Sequence, residues 1–591
     1  MQSATAIPTS RGSSWMPRWN VFHLVLPGVI FLLLFLLLPT LQVLAMSVFK
    51  QGDFTAAAFA KMVSSPLYLR VFAKTFSIAL QTTIYCLVLG YPLAYWVSTL
   101  NARKQRLAMF FILLPFWTSA LIKNFSWLII LGRQGPVAEL MAALGIPGGD
   151  RLLFNEVTVV FAMVHTMLPL AVVTMIPVLN QIDRRLLPAA STLGAGGGRR
   201  FWEVYFPLSM RGVAAAGLLT FVASLGFFIT PELVGSPKET LVGQLIILQI
   251  NKLQNWQLGC ALAVVLLICA LIVCFIYDRI FGISSMSGGG GRQRAHDSVL
   301  RRSGLSLLRG LGWVSERLAL LGRGGRGRLW LSLYATLALF VLMLPIFGFV
   351  PMAFTGGTAL TFPPQGFSLR WFEQFFASPL WTGAIVRSFV IGIVTAAITV
   401  VIGGLAALGM ARGRSRFSGA VFLLLLMPLI VPPIVIAVSL FYQFAHLSLI
   451  ATDLGIVIGH TVIALPIVFV ILLSTFKGYQ WQLDDVSRTL GAGRWQTLRH
   501  VMLPLVSGGL VAGFFTGFLQ SFEELTVALF IGGGLKTTLQ RQMWDSILLQ
   551  ATPTIAAASV IVLAIVLALF LLVELVQSRR SRARSQPVMA A

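Results

Sequence analysis

Two adjacent carboxylates, Glu523 and Glu524, and one ammonium, Lys123, stand inside long apolar stretches of a 591-residue chain. An acidic side chain at the centre of a membrane helix costs on the order of 2.5–3.5 kcal/mol, so it marks a solute pathway or an ion pair. At 1.5 Å per residue, Glu523 is expected about 25 Å along its helix from Val506, and Lys123 about 24 Å along another from Leu107. A carboxylate there, in a water-filled cavity, would bind a cationic group, with Ser521 nearby and Trp117 or Trp127 offering cation–π contact. Neighbouring helical positions point about 100° apart, so one glutamate is expected to face a cavity and the other to face neighbouring helices. The alternative is a structural ion pair between Lys123 and a glutamate. Trp117 and Trp127 also read as packing aromatics, and His165 and His460 as hydrogen-bonded structural histidines.

A second kind of chemistry lies in two polar segments that repeat each other. The first runs Gly194-Ala-Gly-Gly-Gly-Arg-Arg-Phe-Trp-Glu-Val-Tyr-Phe-Pro207, the second Gly491-Ala-Gly-Arg-Trp-Gln-Thr-Leu-Arg-His-Val-Met-Leu-Pro504. Glycine to glycine and proline to proline, the separation is 297 positions. A glycine between short polar helical pieces permits a sharp turn, and a helix–turn–helix knob of this kind can seat in a groove on a partner and transmit rigid-body motion.

The elements that must position these residues follow from composition. The chain is 57% hydrophobic and 11% charged, which defines a polytopic membrane protein. Twelve continuous apolar runs, from one centred near Phe35 to one near Ala564, are each long enough to cross a bilayer core of about 30 Å. Continuous rather than alternating runs exclude a β-barrel. The formal charge of +25 does not point to nucleic acid. Lysines and arginines cluster in the tails and even-numbered loops, as at Arg103, Lys104 and Arg106, or Arg579, Arg580, Arg582 and Arg584. This positive-inside bias places both termini in the cytoplasm. The first run, from about Val21 to Phe49, reads as an uncleaved span rather than a signal peptide. Cys86, Cys260, Cys269 and Cys274 lie in apolar runs without a CxxC and read as packing residues.

The expected organisation is a cytoplasmic tail over 1–20, a six-span repeat over 21–280, a linker over 281–328, a second six-span repeat over 329–577 and a basic tail over 578–591. The linker holds Gly288-Gly-Gly-Gly291 and many arginines, with an amphipathic helix conceivable over Leu305–Leu321. Six spans per half give both halves the same polarity, so the repeats are parallel and both polar knobs face the cytoplasm, between spans four and five of each half.

The paired segments resemble the coupling loop of permease subunits in bacterial ABC importers, a family with the pattern E-A-A-x3-G-x9-I-x-L-P. The first three letters are degenerate here, Pro188-Ala189-Ala190 and Asp485-Val486-Ser487, while Gly194 to Pro207 and Gly491 to Pro504 fit well. The resemblance narrows at Leu114-Pro-Phe-Trp117-Thr-Ser-Ala-Leu-Ile-Lys123 with Trp127, and at Pro231-Glu-Leu-Val-Gly235, which look like one spermidine/putrescine permease subunit. Gly366-Phe-Ser-Leu-Arg-Trp-Phe372 and Ser521-Phe-Glu-Glu524 look like its sister subunit. The resemblance implies an all-α, twelve-span type I importer permease with two subunits fused in one chain. It implies coupling residues Ala189, Ala190, Gly194, Pro207, Asp485, Gly491 and Pro504, and a substrate pathway through Glu523, Glu524, Ser521, Trp117, Lys123 and Trp127. It further implies two separate ATP-binding subunits, which hold ATP and magnesium, a periplasmic solute-binding protein, and location in the bacterial inner membrane.

No cofactor, metal cluster or nucleophile triad is expected in the chain itself. Gly532-Gly-Gly-Leu-Lys536-Thr537 lacks the glycine that a P-loop places before lysine. Polyamine is the expected cargo. Gly226-Phe227 stands opposite Glu523-Glu524, however, and removes one acidic residue expected of the family, so iron(III), phosphonate and opine remain alternatives. A twelve-span secondary transporter shares the span parity, but it gives no reason for two matched knobs, and Asn101-Ala-Arg-Lys-Gln-Arg106 stands where it would carry its own loop signature.

Overall fold

The computed structural model describes residues 21–50, 52–281, 309, 310, 313, 326–360, 362–413, 415–533 and 537–585. The N-terminal tail, the Gly288–Gly291 stretch, most of the Leu305–Leu321 segment and residues 586–591 lie outside the described residues. The first half contains α1 (Val21–Val48), α2 (Pro66–Thr99), α3 (Ala102–Trp117), α4 (Ala120–Ile130), α5 (Glu156–Gln181), α6 (Leu186–Thr192), α7 (Gly197–Leu225), α8 (Ile229–Val234), α9 (Val242–Ile247) and α10 (Trp256–Phe281). The second contains α11 (Arg326–Ala353), α12 (Pro379–Arg412), α13 (Ser418–Ile430), α14 (Pro433–His446), α15 (Asp453–Lys477), α16 (Gln482–Thr489), α17 (Arg494–Phe522), α18 (Thr526–Ile531), α19 (Leu539–Leu549) and α20 (Pro553–Ser585). The second set repeats the first in order, α11 answering α1 and α20 answering α10. Helix α11 begins inside the expected linker.

Local sequence explains the repeat. Helices α2 and α12 both open on a proline, whose fixed φ and missing N–H suit a first helical turn, and both run for 34 residues. Backbone Val242 N donates to Thr75 Oγ1 at 3.0 Å, and Leu539 N to Ser388 Oγ at 2.8 Å, pinning α9 to α2 and α19 to α12 in the same way. Lys74 pairs with Glu156 at 2.9 Å, and Arg387 with Asp453 at 3.0 Å, fastening α2 to the start of α5 and α12 to the start of α15.

Ten of the apolar runs form continuous helices of spanning length, but the third run of each half is broken. Helices α3 and α4 meet at 91°, α13 and α14 at 98°. At the first break Thr118 and Ser119 are extended, and the Ser119 hydroxyl accepts from Leu121 N at 3.2 Å to start α4. At the second, Pro432 and Pro433 stand in sequence, and a proline pushes its predecessor out of the helical region. A straight third span is therefore corrected to a bent one. The expected rise of Lys123 along it does not hold, because the bend carries Lys123 sideways.

Each half's first helix packs on the other half. Helix α1 lies against α12, α13 and α14, and also against α10; α11 lies against α2, α3 and α4, and also against α20. Gln443 Nε2 donates to Leu34 O at 3.1 Å, Trp96 Nε1 to Ser332 Oγ at 3.2 Å, and Tyr334 Oη to Leu89 O. The apolar interior divides in the same way. One cluster joins α2–α5 to α11, α19 and α20, and the other joins α12, α14 and α15 to α1, α9 and α10. Neither half buries its own core alone.

The halves differ most between the broken span and the next helix. The first half inserts 131–155 there, including a helix over Pro136–Ala143, where the second has only 447–452. Phe362 N, from the loop after α11, donates to Gln134 O at 3.3 Å, so this insertion also touches the other half.

Candidate functional site

Two arrangements can do work: a pair of polar knobs and a one-sided cluster of buried charges.

The knobs are near copies. Helices α6 and α16 each end at a glycine with positive φ, Gly194 at +82° and Gly491 at +87°. In the first, Gly194 N donates to Ser191 O and Ala195 N to Ala190 O, both at 3.0 Å; in the second, Gly491 N donates to Arg488 O and Ala492 N to Ser487 O, both at 3.0 Å. This is the Schellman closure, whose left-handed residue is usually glycine because any Cβ there meets the backbone. A π-turn follows in each half, Arg200–Tyr205 and Leu498–Met502. Pro207 and Pro504 come just after it, and the wider turn accommodates a residue that has no N–H to give and whose ring crowds the preceding turn. Ala189 and Asp485 are exposed and Ala190 half-buried. Paired apolar tips stand out beside them: Leu193 is 89% exposed and Leu490 82%.

Each knob is tied to the C-terminal end of the second long helix of its half, by different chemistry. In the first half the Arg184 guanidinium donates to Ser98 O. In the second, Asp484 is buried, accepting from Arg412 Nη1 at 3.1 Å and from Tyr479 Oη at 2.6 Å, while Arg412 lies 5.1 Å over the Trp481 ring. Burial, then the Asp484 carboxylate, hold the Tyr479 phenol above its usual range. Ser487 Oγ and Thr497 Oγ1, 2.7 Å apart, join the two arms of the second knob. The motif register pointed to Asp485, whereas the anchored acid is its neighbour Asp484. The signal was the amphipathic phase of α16, which turns 484 and 487 inward together.

The glutamates separate as two adjacent positions should. Glu524 is buried, and its carboxylate accepts from Val527 N at 2.9 and 3.0 Å and from Ala528 N at 3.2 Å. His460 Nε2 lies 3.4 Å away, and His460 Nδ1 is 2.7 Å from Ser521 Oγ. Glu524 and Ser521 thus hold the short turn between α17 and α18. Glu523 caps the C-terminal end of α17 and is half-buried, with Oε1 enclosed and unpartnered.

Lys123 projects from the same face of α4 as Ser119 and Trp127, at successive intervals of four. It is 3% exposed, and its Nζ donates to Pro115 O at 3.0 Å, a carbonyl released where α3 ends. Lys123 and Glu523 act electrostatically on one another across the two halves without closing to 4.0 Å. Ser119 Oγ donates to Gln540 Oε1 at 2.9 Å. Trp127 stands edge-on to Phe161 and His165, with ring centres 4.7 and 5.2 Å apart, and His165 Nε2 is 3.3 Å from Leu342 O. Trp117 packs on Phe570 at 5.2 Å. Among the described residues no cation lies over Trp117 or Trp127, so both act as packing aromatics in this conformation.

In the first half the position answering Glu523 is Gly226. A Cβ there would stand 3.0 Å from Pro432 Cβ, so the side facing the other break is sealed by close packing. The position answering Lys123 is Ile436, which is buried and apolar. The knobs are twofold; the charges are not.

A helical double repeat with paired polar knobs and with buried charges in one pair of answering positions only describes a membrane transport subunit rather than an enzyme. The chain belongs to the family of binding-protein-dependent transport system inner membrane components, which matches it twice, over residues 86–285 and 399–582. The spermidine/putrescine transport system permease protein PotB of Haemophilus influenzae is 32% identical over 269 residues, 44% of this chain and 94% of that protein. PotC of the same organism is 28% identical over 217 residues, 37% of this chain and 84% of that protein. One subunit of a solved bacterial alginate ABC transporter, in complex with alginate-bound periplasmic protein, covers 44% of this chain and 94% of its own at 15% identity, with a TM-score of 0.39. PotB and PotC are each nearly spanned by less than half of this chain, and the family matches it twice. The chain is therefore a fused pair of ABC importer permeases, a multi-pass inner membrane protein with the type I permease fold.

Proposed function

We propose that this chain is the complete membrane pathway of an ATP-driven importer for a small amine-bearing solute, with the polyamines named for its relatives as the first candidates. The observation that carries this reading is the contrast between twofold knobs and a one-sided pathway charge. Two equivalent knobs fit two ATP-binding subunits, each seating one exposed tip, Leu193 or Leu490, while ATP and magnesium stay on those subunits. The positive-inside charge pattern supports a cytoplasmic location for the knobs and both termini. A periplasmic binding protein would deliver cargo on the opposite face, where the halves differ. Glu523 is the group that would meet the cargo amine: it stands at the end of α17, and among the described residues its enclosed Oε1 has no hydrogen-bond partner. Glu524 and Ser521 position that break. The test is to reconstitute the chain with its ATPase and ask which solute-loaded binding protein stimulates ATP hydrolysis. Stimulation by an amine-loaded protein is expected. Stimulation by a protein loaded with iron or with a phosphonate that bears no amine, with none from any amine-loaded one, would overturn the cargo assignment.

A further inference from the structure

Lys123 is a fixed cation in the same pathway, and the amine reading leaves it unexplained. Its position is favourable for the fold, since an ammonium beside a freed carbonyl at the end of α3 complements that helix's C-terminal partial charge. Yet one hydrogen bond uses only one of its three protons. Glu523 is in the reverse situation. A carboxylate at the C-cap of α17 opposes the helix dipole, and its enclosed oxygen receives nothing. Two opposite charges in a low-dielectric interior attract strongly, and ion pairs elsewhere in the chain close to 2.9–3.1 Å. Lys123 and Glu523 do not close, because each is held on its own helix break, one in each half. On α4 and on the helices packed against it, Asn124 Oδ1, Trp127 Nε1, His165 Nδ1 and Gln540 Nε2 are also buried without partners among the described residues. Buried polar groups are ordinarily hydrogen-bonded, so this cluster is one that a polar guest completes.

Charge balance then selects the guest. The pair is neutral before cargo arrives. A diamine on Glu523 would leave surplus positive charge beside Lys123, and like charges repel strongly where water is scarce. A molecule with an ammonium at one end and an acid at the other leaves the site neutral and gives each group its opposite. We propose that Lys123 and Glu523 form a two-charge cargo subsite for a small zwitterion, the ammonium on Glu523 and the carboxylate or phosphonate on Lys123. This rests on the reading of Glu523 as the amine contact and narrows the amine class to amines that also bear an acid. The other half has Ile436 and Gly226 at the answering positions, so one such subsite exists per chain.

Putrescine and 4-aminobutanoate make a matched test, because they differ only in the exchange of one aminomethyl for a carboxyl. Binding of each to the full chain in lipid nanodiscs is measured by calorimetry, for the wild type, Lys123→Met, Lys123→Arg and Glu523→Gln. The wild type is expected to prefer 4-aminobutanoate by about tenfold or more, a difference of about 1.4 kcal/mol. Lys123→Met loses that preference and gains putrescine affinity, Lys123→Arg retains it, and Glu523→Gln weakens both. Should Lys123→Met not be recoverable, the wild-type order together with Lys123→Arg decides. A wild type that prefers putrescine, one that binds no 4-aminobutanoate, or a Lys123→Met that keeps the wild-type order would each overturn the subsite. Putrescine binding that depends on Glu523 but ignores Lys123 would overturn it while leaving the amine pathway standing. Putrescine binding unchanged in Glu523→Gln would remove the amine contact itself.

Discussion

Glu523 and Glu524 are chemically identical neighbours with opposite relations to the fold. Glu524 spends its carboxylate on two backbone N–H groups and His460, so Glu524→Ala should lower stability by about 1–3 kcal/mol, read as a fall in unfolding temperature. Glu523 sits at the unfavourable end of a helix dipole without a partner. Glu523→Gln should therefore leave stability unchanged or raise it by about 0.3–1 kcal/mol while depressing transport. A Glu523→Gln that unfolds as readily as Glu524→Ala would assign Glu523 a structural role. That the two glutamates have different surroundings, one bound to backbone N–H groups and the other without a hydrogen-bond partner on Oε1, follows from their adjacency. Which was which depended on the helix break at residues 522–526, and no apolar periodicity reports a break.

At the scale of elements, the knobs were the most legible part of the molecule, because glycine and proline at fixed spacing impose a backbone regardless of what lies between. Gly194→Val and Gly491→Val should each cost about 1–2 kcal/mol of local strain and uncouple ATP hydrolysis from transport while the protein still inserts. Equal defects in the two variants are expected, since the closures match bond for bond; a defect confined to one would mean that the knobs are not equivalent in use. The anchors behind them were not legible. Asp484→Asn should weaken coupling and Asp485→Asn should not, because only Asp484 is buried against Arg412 and Tyr479, and ATPase assays of the two variants would separate them. The broken third spans were also hidden: Pro115 and Pro428 sit in apolar runs that hydropathy reads as straight.

At the scale of the molecule, the two-half plan could be read from span count and register, but the exchange of α1 and α11 between halves could not, since nothing in either apolar helix names the surface it will cover. Because each apolar core draws on both halves, residues 1–300 and 301–591 expressed separately should be degraded or aggregate, and should recover a transport-competent complex when expressed together. A stable, folded 1–300 alone would contradict the shared cores. The exchange also constrains how the protein is made. Translation reaches the end of α5 at Gln181 but does not reach α11 until Arg326. At roughly 5–20 residues per second the first half waits on the order of 10–30 s in the bilayer with Trp96 and His165 lacking the partners that α11 brings. In two separate chains that wait would last until a second polypeptide happened to arrive. Here the missing helix follows α10 on the same chain, so the joining of the halves sets a ceiling on how long the incomplete half stands open to lipid.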